Sequence, residues 1–346
     1  MLIETWDSQN DVLLIAEVGN NHEGSFALAQ DLVGLAAEAG AGAVKFQTFR
    51  TEHYVSPSES ERFARLKRFE LSGEQFAKLA QQARDAGLIF LSTPFDLGSV
   101  AVLEPLVSAY KIASGDNTFY PLIEAVARRG KPMLVSTGIA DMQQIRYADA
   151  LVRRVWAEAE QGDPGLAILH CVSAYPTPPE EANLATISTL AAAFPDATVG
   201  YSDHTIGIDA AVLAVGLGAR IIEKHFTIDN NYSSFRDHQL SANPEALREM
   251  ADRIRTASVM LGSSVKERRS CEDAGAIANR RSIVADHDLS AGAVLTMSDL
   301  TWVRPGTGLP PGAETLVLGR RLTRNLPAGS PILKADLDEG AQDAPR

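Results

Sequence analysis

The sequence predicts a closed barrel of eight parallel β-strands alternating with α-helices, a (β/α)8 or TIM barrel, followed by a small C-terminal domain. Three observations support this fold. Eight short β-rich runs alternate with helical patterns, several runs are apolar at consecutive positions, and the last helical pattern ends near residue 260. Consecutive apolar residues are typical of strands buried on both faces, and this length is typical of such a barrel. The alternative is an open doubly wound sheet, but the GxGxxG spacing is missing after the first run.

The predicted strands and helices alternate in a regular order along the chain. The β-rich runs are residues 12–18, 43–49, 88–95, 109–114, 132–137, 166–172, 198–203 and 220–226. The helical patterns between and after them include residues 25–39, 73–86, 121–129, 183–193, 208–219 and 244–260. Gly40 and Gly87 follow two of these helices at the left-handed cap position. Asn243 and Pro244 form a cap and first turn for the last one.

Composition limits the classes of function. The net charge of −12 argues against a nucleic-acid-binding protein, whose usual mark is a basic patch. Two cysteines in 346 residues support neither a disulfide framework nor a cysteine-based metal site, and they fit a reducing compartment. No apolar stretch reaches the length of a membrane span, and the first residues lack a basic start. We therefore expect a cytoplasmic protein that binds neither membrane nor nucleic acid.

The C-terminal part is predicted to form a separate small domain. Residues 1–261 form the barrel, residues 262–279 are polar and read as a linker, and residues 339–346 read as a loose tail. Within residues 280–338 two phrases echo each other, DLSAGAVLTMSDL and NLPAGSPILKADL. This repetition predicts a pseudo-two-fold arrangement of short strands and single helical turns. A unit of this size has a marginal core alone, so we expect it to pack against a barrel.

Two histidines follow consecutive predicted strands, His204 after residues 198–203 and His225 at the end of residues 220–226. A strand, a crossover helix and the next parallel strand place both strand ends at one edge, where barrel active sites lie. Two neutral imidazoles there suit a divalent metal. A single histidine is explained as well by a backbone hydrogen bond, but the pair favours a site. Four polar residues flank the pair: Ser202, Asp203, Glu223 and Lys224.

Other strand ends also carry polar residues. Lys45 and Lys111 lie between apolar neighbours, which argues against a solvated surface and favours an anion site. Ser114 and Ser136 supply hydroxyl groups nearby. Glu17 ends the first strand and is either an acid–base group or a dipole partner of the following helix; both interpretations remain open. A metal, an anion clamp and a carboxylate together fit carbon–carbon bond formation between an anionic donor and an aldehyde.

Eight phrases, in order along the chain, resemble the sialic acid synthase family of phosphoenolpyruvate-dependent nonulosonic acid synthases. They are IAEVGNNHEGS, VKFQTF, FLSTPFD, YKIASGDN, STGI, LHCVSAYPTP, YSDHT and IEKHFTID. Residues 280–338 resemble the SAF domain of that family, an antifreeze-like β-clip fold. The resemblance covers almost the whole chain.

The resemblance implies an activity of the transferase class. Members condense phosphoenolpyruvate with an N-acetylated aldose, releasing phosphate and forming a nine-carbon 2-keto acid. The implied cofactor is a divalent metal, usually Mn²⁺, with Mg²⁺ and Co²⁺ as alternatives. The resemblance also implies that the protein forms a homodimer, in which the SAF domain of one chain closes the barrel of the other.

The resemblance also implies roles for particular residues. Glu17 matches the catalytic carboxylate, and His204 and His225 match the metal ligands, which also serve catalysis. The positions that match phosphoenolpyruvate contacts or their neighbours are Lys45, Thr93, Lys111, Ser114, Ser136, Ser173 and Ser202. The positions that match sugar contacts are Gln47, Asp116, Tyr175, Asp237 and Arg304. Arg304, in the phrase WVRPGTG, matches an arginine that reaches the partner subunit's active site.

Three departures from the family pattern bear on the sugar. Residues 233–238 replace a Gly-Pro-Asp segment, Ser173 stands where many members have Asn, and Asp116 stands where they have Glu. N-acetylmannosamine and the sugars leading to legionaminic or pseudaminic acid therefore remain alternatives, and Arg236 could pair with a charged substrate. The alternative classes for the same fold are a metal-dependent hydrolase, a class II aldolase, and a non-catalytic sugar-binding or coat-assembly protein.

Overall fold

A computed structural model describes residues 1–339 of the chain. The described residues divide into two compact units, one over Met1–Gly262 and a second that begins at Ser263. Most of the predicted tail, residues 340–346, lies outside the described residues. No helix within residues 1–339 has the length and apolar character needed to cross a membrane.

The first unit is a closed barrel of eight parallel strands, which confirms the predicted fold. The strands are β1 Leu13–Gly19, β2 Ala43–Thr48, β3 Ile89–Pro94, β4 Tyr110–Ile112, β5 Met133–Ser136, β6 Leu166–Cys171, β7 Thr198–Asp203 and β8 Ile221–His225. Each strand pairs with its neighbours in chain order, and β8 pairs with β1 to close the barrel. Residues 109–114 contain a shorter strand than predicted, because Ser114 already begins a 3-10 turn, Ser114–Asp116.

Helices surround the barrel and connect the strands. They are α1 Phe26–Glu38, α2 Thr51–Tyr54, α3 Ser60–Phe69, α4 Gly73–Asp85, α5 Leu97–Leu103, α6 Tyr120–Ala127, α7 Met142–Glu158, α8 Thr186–Ala193, α9 Asp209–Gly216, α10 Arg236–Leu240 and α11 Pro244–Leu261. A further 3-10 turn covers Pro179–Glu181. Side chains at the starts of several helices accept hydrogen bonds from first-turn amides, including Ser25, Ser72, Asp141 and Asn243.

Alternation along the strands separates two cores and positions the site. Even-numbered residues of β1, such as Leu14 and Ala16, pack outward against the helices. Odd-numbered ones, Leu13 and Ile15, fill the barrel interior with apolar residues of other strands. Because side chains alternate with a period of two, the next residue of the inward series on β1 is Glu17. The interior therefore changes from apolar to polar along the barrel axis.

The amino-terminal end of the barrel interior is covered by a short hairpin, which the sequence interpretation did not predict. Its strands, Leu2–Ile3 and Trp6–Asp7, pair antiparallel. Ile3 and Trp6 belong to the same apolar cluster as the interior residues of the barrel. The hairpin thus closes the apolar end, and the polar end remains for a ligand.

The second unit has its own small core and two antiparallel strands, β9 Ser282–Ala285 and β10 Leu300–Val303. The two echoing phrases adopt matching structures: their 3-10 turns are Met297–Asp299 and Lys334–Asp336. Leu289 and Leu326, which hold the same place in the two phrases, pair with each other. Another 3-10 turn covers Glu314–Leu316. The segment interpreted as a linker contains the 3-10 turn Ser270–Glu272 and helix α12, Asp273–Asn279.

Candidate active site

Four charged side chains form a chain of ion pairs in the polar end of the barrel. Lys45 Nζ lies 2.8 Å from Glu17 Oε2 and 3.5 Å from Glu223 Oε2. Lys111 Nζ lies 3.4 Å from Glu223 Oε1. The four residues come from β1, β2, β4 and β8, and all are buried. Two ammonium groups and two carboxylates thus balance their charges in a space that excludes most water.

Burial and mutual contact shift the pKa values of these groups in different directions. Burial raises the pKa of Glu17 to about 6, although Lys45 opposes the shift. Burial would also raise the pKa of Glu223, but Lys111 and Lys45 bring it down to about 2. Burial lowers the pKa of Lys111. Burial also tends to lower the pKa of Lys45, but the negative charges of Glu17 and Glu223 outweigh burial and raise the pKa of this lysine. Glu17 is therefore the carboxylate suited to exchange a proton near neutral pH.

Hydroxyl groups line the same space. Lys45 Nζ donates a hydrogen bond to Thr93 Oγ1 at 3.0 Å, and Ser202 Oγ donates to Glu223 Oε1 at 2.8 Å. Ser114 Oγ accepts a hydrogen bond from the Gly138 amide at 3.1 Å. The buried Ser136 Oγ has no hydrogen-bond partner within residues 1–339. A buried hydroxyl without a partner indicates a position that a ligand can satisfy.

The two histidines face each other beside the ion pairs. Their ring centroids are 5.5 Å apart, and both rings are buried. His204 Nδ1 lies 2.8 Å from the Val172 carbonyl oxygen; since a carbonyl only accepts, Nδ1 carries a proton, and Nε2 has a free lone pair in the neutral ring. Burial would lower the pKa of His204, but Cys171 and the Val172 carbonyl outweigh it and raise that pKa, so a metal would have to displace a proton from this ring. His225 Nδ1 is buried without a hydrogen-bond partner in the described chain. Burial holds the pKa of His225 well below its usual range, and the neighbouring His204 lowers it further, so this ring is neutral.

These features fit a divalent metal held by two imidazoles. Neutral rings with free lone pairs are the form that binds a metal. Within residues 1–339, however, no cluster of three or more His, Cys, Asp or Glu side chains has the arrangement of a metal site. A metal at this place would have two protein ligands at most from this pair, and substrate or water oxygens would have to complete its coordination.

The site opens into two connected spaces. The inner chamber, about 40 Å³, contains eleven of the predicted site residues: Glu17, Lys45, Gln47, Thr93, Lys111, Ser114, Ser136, Tyr175, Ser202, His204 and His225. An outer vestibule of about 850 Å³ is also lined by Ser173 and Asp237. Four of these eleven residues line the vestibule too: Gln47, Ser114, Tyr175 and His225. The two spaces are thus parts of one cavity.

Segments after β6 and β8 build the wall of the vestibule. The Arg236 guanidinium lies 4.6 Å from the centre of the Tyr175 ring, and its Nε is 3.3 Å from Asp237 Oδ1. Farther in, Gln47 Nε2 donates a hydrogen bond to Glu17 Oε1 at 3.1 Å, and Asn20 Nδ2 donates to Gln47 Oε1 at 2.8 Å. The carboxylate of Glu17 is therefore held from the vestibule side as well.

Two predicted site residues do not line either space. Asp116 lies in the 3-10 turn after β4; its Oδ2 is buried without a hydrogen-bond partner within residues 1–339, and burial raises its pKa to about 6. Arg304 belongs to the second unit, where its Nε donates a hydrogen bond to the Asn279 carbonyl at 2.8 Å. The assigned roles of both residues remain predictions.

Sequence interpretation did not place Glu223 among the site residues, although it contacts both lysines. The signal was present: Glu223 lies two residues before His225, so both point to the same side of β8. In the sequence Glu223 is only a neighbour of the histidines, because a single strand does not reveal which residues of other strands it faces.

The fold and this cavity define a (β/α)8-barrel protein with a polar ligand site at the carboxyl ends of its strands. The chain belongs to the NeuB family, which it matches over residues 32–266, and residues 280–338 match the SAF domain. This confirms the family resemblance and the fold of both parts.

Known relatives span nearly the full length of the chain. An uncharacterised protein of Methanocaldococcus jannaschii is 43% identical to this chain, and the alignment covers 89% of this chain and 89% of the relative. The N,N'-diacetyllegionaminic acid synthase of Legionella pneumophila is 39% identical, covering 92% and 93%. The crystal structure of N-acetylneuraminic acid synthetase from Leptospira borgpetersenii has a TM-score of 0.74 at 32% identity, covering 80% of this chain and 94% of that one.

Proposed function

We propose that the protein is a transferase that condenses phosphoenolpyruvate with an N-acetylated aldose to a nine-carbon 2-keto sugar acid and phosphate. The observation that carries the proposal is the buried set of Lys45, Lys111 and Glu17 beside the facing rings of His204 and His225. Membership of a family with sugar-acid synthases among its members supports the same reaction class.

Lys45 and Lys111 bind the anionic donor. Each ammonium has three N–H donors. Lys111 contacts Glu223 and the Ile112 carbonyl, which leaves one donor for an oxygen of phosphoenolpyruvate. Lys45 already contacts Glu17, Glu223 and Thr93, so it would exchange one of these contacts for an oxygen of the donor.

The free hydroxyl of Ser136 and that of Ser114, which accepts from the Gly138 amide, can donate to the phosphate or carboxylate group. Ser202 borders the same space, but its hydroxyl already donates to Glu223 and would have to turn to reach the donor. Because the site is buried, these contacts are stronger than they would be in bulk water.

His204 and His225 would hold a divalent metal, Mn²⁺ by the family resemblance, which when bound polarises the aldehyde oxygen of the sugar. The C3 atom of phosphoenolpyruvate forms a bond to the aldehyde carbon, which leaves positive charge at C2. Water adds at C2, and cleavage of the C2–O bond releases phosphate. Glu17, with its raised pKa, takes or returns the proton of the water or the new hydroxyl.

We assign Gln47, Tyr175 and Asp237, which border the vestibule, to the sugar. By family resemblance we propose a homodimer, with Arg304 of one protomer reaching the sugar in the other. N-acetylmannosamine and the diacetamido sugars that lead to legionaminic or pseudaminic acid are the candidate acceptors.

Phosphate release by metal-stripped protein, with Mn²⁺ added back, tests this proposal. We expect phosphate release only when phosphoenolpyruvate and an aldose are both present. The mass of the product should equal the masses of phosphoenolpyruvate, the aldose and one water together, minus that of phosphoric acid. Phosphate release from phosphoenolpyruvate alone would indicate a hydrolase. Binding of both compounds without turnover under all metal conditions would indicate a non-catalytic sugar-binding protein.

A further inference from the structure

A row of arginines lines the outer vestibule. Arg62, Arg65 and Arg68 lie three residues apart on α3, and all three border the 850 Å³ space. Residues three apart on a helix are neighbours on its surface, so these guanidinium groups form one stripe along the wall. Arg236 adds a fourth from the other side. We call these four residues the arginine wall.

Local structure explains only part of this wall. Arg62 lies 3.3 Å from Glu59 and 5.9 Å from the Tyr54 ring, and Arg236 contacts Asp237. Arg65 and Arg68 have no carboxylate at ion-pair distance within residues 1–339. The basic residues of this helix that do form ion pairs are Arg62 and Lys67. The helix dipole favours Arg68 in the last turn, but it does not favour Arg65 near the middle.

The wall carries more positive than negative charge. Glu23 and Asp237 are the carboxylates that border the vestibule, against four guanidinium groups. Glu23 is already engaged by His238 Nε2 at 3.0 Å and by the Ser233 hydroxyl. The protein as a whole carries a net charge of −12. A local cationic surplus in an acidic protein concentrates anions at that place.

The position of the wall separates it from the donor site. The residues that hold the anionic donor, Lys45 and Lys111, line the inner chamber only, whereas Arg62, Arg65 and Arg68 line the vestibule only. A sugar whose aldehyde reaches the histidines extends past Gln47 and Tyr175 toward the vestibule. The vestibule that would receive its far end is the space that the arginine wall borders, and a neutral sugar would offer these guanidinium groups no counter-charge.

We infer that the aldose carries an anionic group, a phosphate monoester or a carboxylate, at the end opposite its aldehyde, and that Arg65 and Arg68 bind this group. The inference rests on the proposed condensation and adds the charge class of its acceptor. Guanidinium groups suit both anions because their paired N–H donors match two oxygens at once.

The test compares three acceptors: N-acetylmannosamine, its 6-phosphate, and the uronic acid with a carboxylate at C6. We expect kcat/KM of the wild-type protein to be at least about tenfold higher for one of the anionic acceptors, which also identifies the anion, with a KM for it that rises with salt. Arg65→Ala/Arg68→Ala should lower that kcat/KM at least about tenfold through the acceptor KM. The neutral sugar and the KM of phosphoenolpyruvate should change less than about twofold.

The matched control is Arg154→Ala/Arg248→Ala, which removes two exposed arginines that do not border the cavity. It should leave the preference unchanged. Equal or better use of the neutral sugar by the wild-type protein would overturn the inference while leaving the proposed condensation intact. A rise in the phosphoenolpyruvate KM of the double variant would also overturn it, because the wall would then serve the donor.

Absence of turnover with every acceptor would contradict the proposed function, and binding then decides the inference separately. Calorimetry with N-acetylmannosamine 6-phosphate and with the uronic acid should show tighter binding of at least one of them to the wild-type protein than to Arg65→Ala/Arg68→Ala. Equal binding of both compounds to the two proteins would overturn the inference.

Discussion

Lys224 Nζ lies 2.9 Å from Asp203 Oδ2, and both side chains are almost completely buried. The two residues pair in register between β8 and β7, and each directly precedes one of the facing histidines. Asp203 Oδ1 also accepts hydrogen bonds from the Tyr201 hydroxyl and from the amide and hydroxyl of Thr205. The ion pair thus ties together the two strand ends that present His204 and His225.

Replacement of Lys224 by Met should destabilise the protein strongly, because it leaves the Asp203 carboxylate buried without its counter-ion. We expect the free energy of unfolding to fall by about 3–5 kcal/mol, measured by urea denaturation. Lys78→Met, at an exposed position of α4, is the control and should change it by less than about 0.5 kcal/mol. If Lys224→Met lowered the free energy of unfolding as little as the control does, the structural role of the ion pair would be contradicted.

His204→Ala and His225→Ala should each abolish metal-dependent turnover while the barrel stays folded, since each removes one of the two proposed imidazole ligands. Phosphate release across a Mn²⁺ titration and circular dichroism measure the two properties. His287→Ala, in the second unit, should retain activity. An active double variant lacking both histidines would refute the metal assignment.

Gly138→Ala should impair phosphoenolpyruvate binding. A Cβ atom at this position would lie 2.2 Å from Ser173 Oγ and 2.8 Å from Ser114 Oγ, so both hydroxyls would have to move. We expect the KM of phosphoenolpyruvate to rise at least about tenfold, as with loss of a hydrogen bond to a charged group.

Gly34→Ala is the matched control for this change. Gly34 lies within α1, and outside the adjacent helix backbone no atom lies within 4 Å of an added Cβ. Alanine there should therefore leave the KM unchanged and stabilise the helix by up to about 1 kcal/mol. An unchanged KM in Gly138→Ala would show that these hydroxyls do not hold the donor.

His22 should make stability depend on pH. Burial lowers its pKa to about 4, with Glu23 opposing, and its Nδ1 accepts a hydrogen bond from the Gly24 amide. In the unfolded chain the ring takes up a proton near its usual pKa of 6.5, but in the folded protein only near 4. The unfolded state therefore binds more protons in this interval, and stability is lost as pH falls from about 6.5 toward 4.

Urea unfolding at several pH values between 7 and 4 checks this prediction. His22→Asn should lose less stability over this interval than the wild-type protein, whereas His53→Asn, at an exposed position, should follow the wild type. Identical pH profiles for wild type and His22→Asn would show that this ring does not contribute.

Arg304→Ala should raise the KM of the aldose more than that of phosphoenolpyruvate, because we assign this residue to the sugar of the partner protomer. Steady-state kinetics with each substrate varied in turn measures both values. Lys334→Ala removes an exposed positive charge from the same unit and should change neither. A larger effect on phosphoenolpyruvate would count against the assignment.

The barrel could be predicted because every one of its strands leaves a local sign, namely a short apolar run followed by polar residues. The N-terminal hairpin could not, because Leu2–Ile3 and Trp6–Asp7 are too short to show a period. Helix α3 was missed as well; its charged sequence, SERFARLKRF, gives a weak apolar pattern, and its buried residues Leu66 and Phe69 belong to a separate small cluster. The arginine wall was therefore not visible before the fold was known.

The amino-acid sequence by itself determined the alternation of elements and which residue types end each strand, because both follow from local periodicity and composition. It thereby identified His204, His225, Lys45 and Lys111 as candidates. Only the tertiary structure decided that Glu223 joins the two lysines and that a stripe of arginines borders the vestibule. The physical reason is that barrel closure brings side chains from distant strands within ion-pair distance, where burial and mutual charge set their protonation.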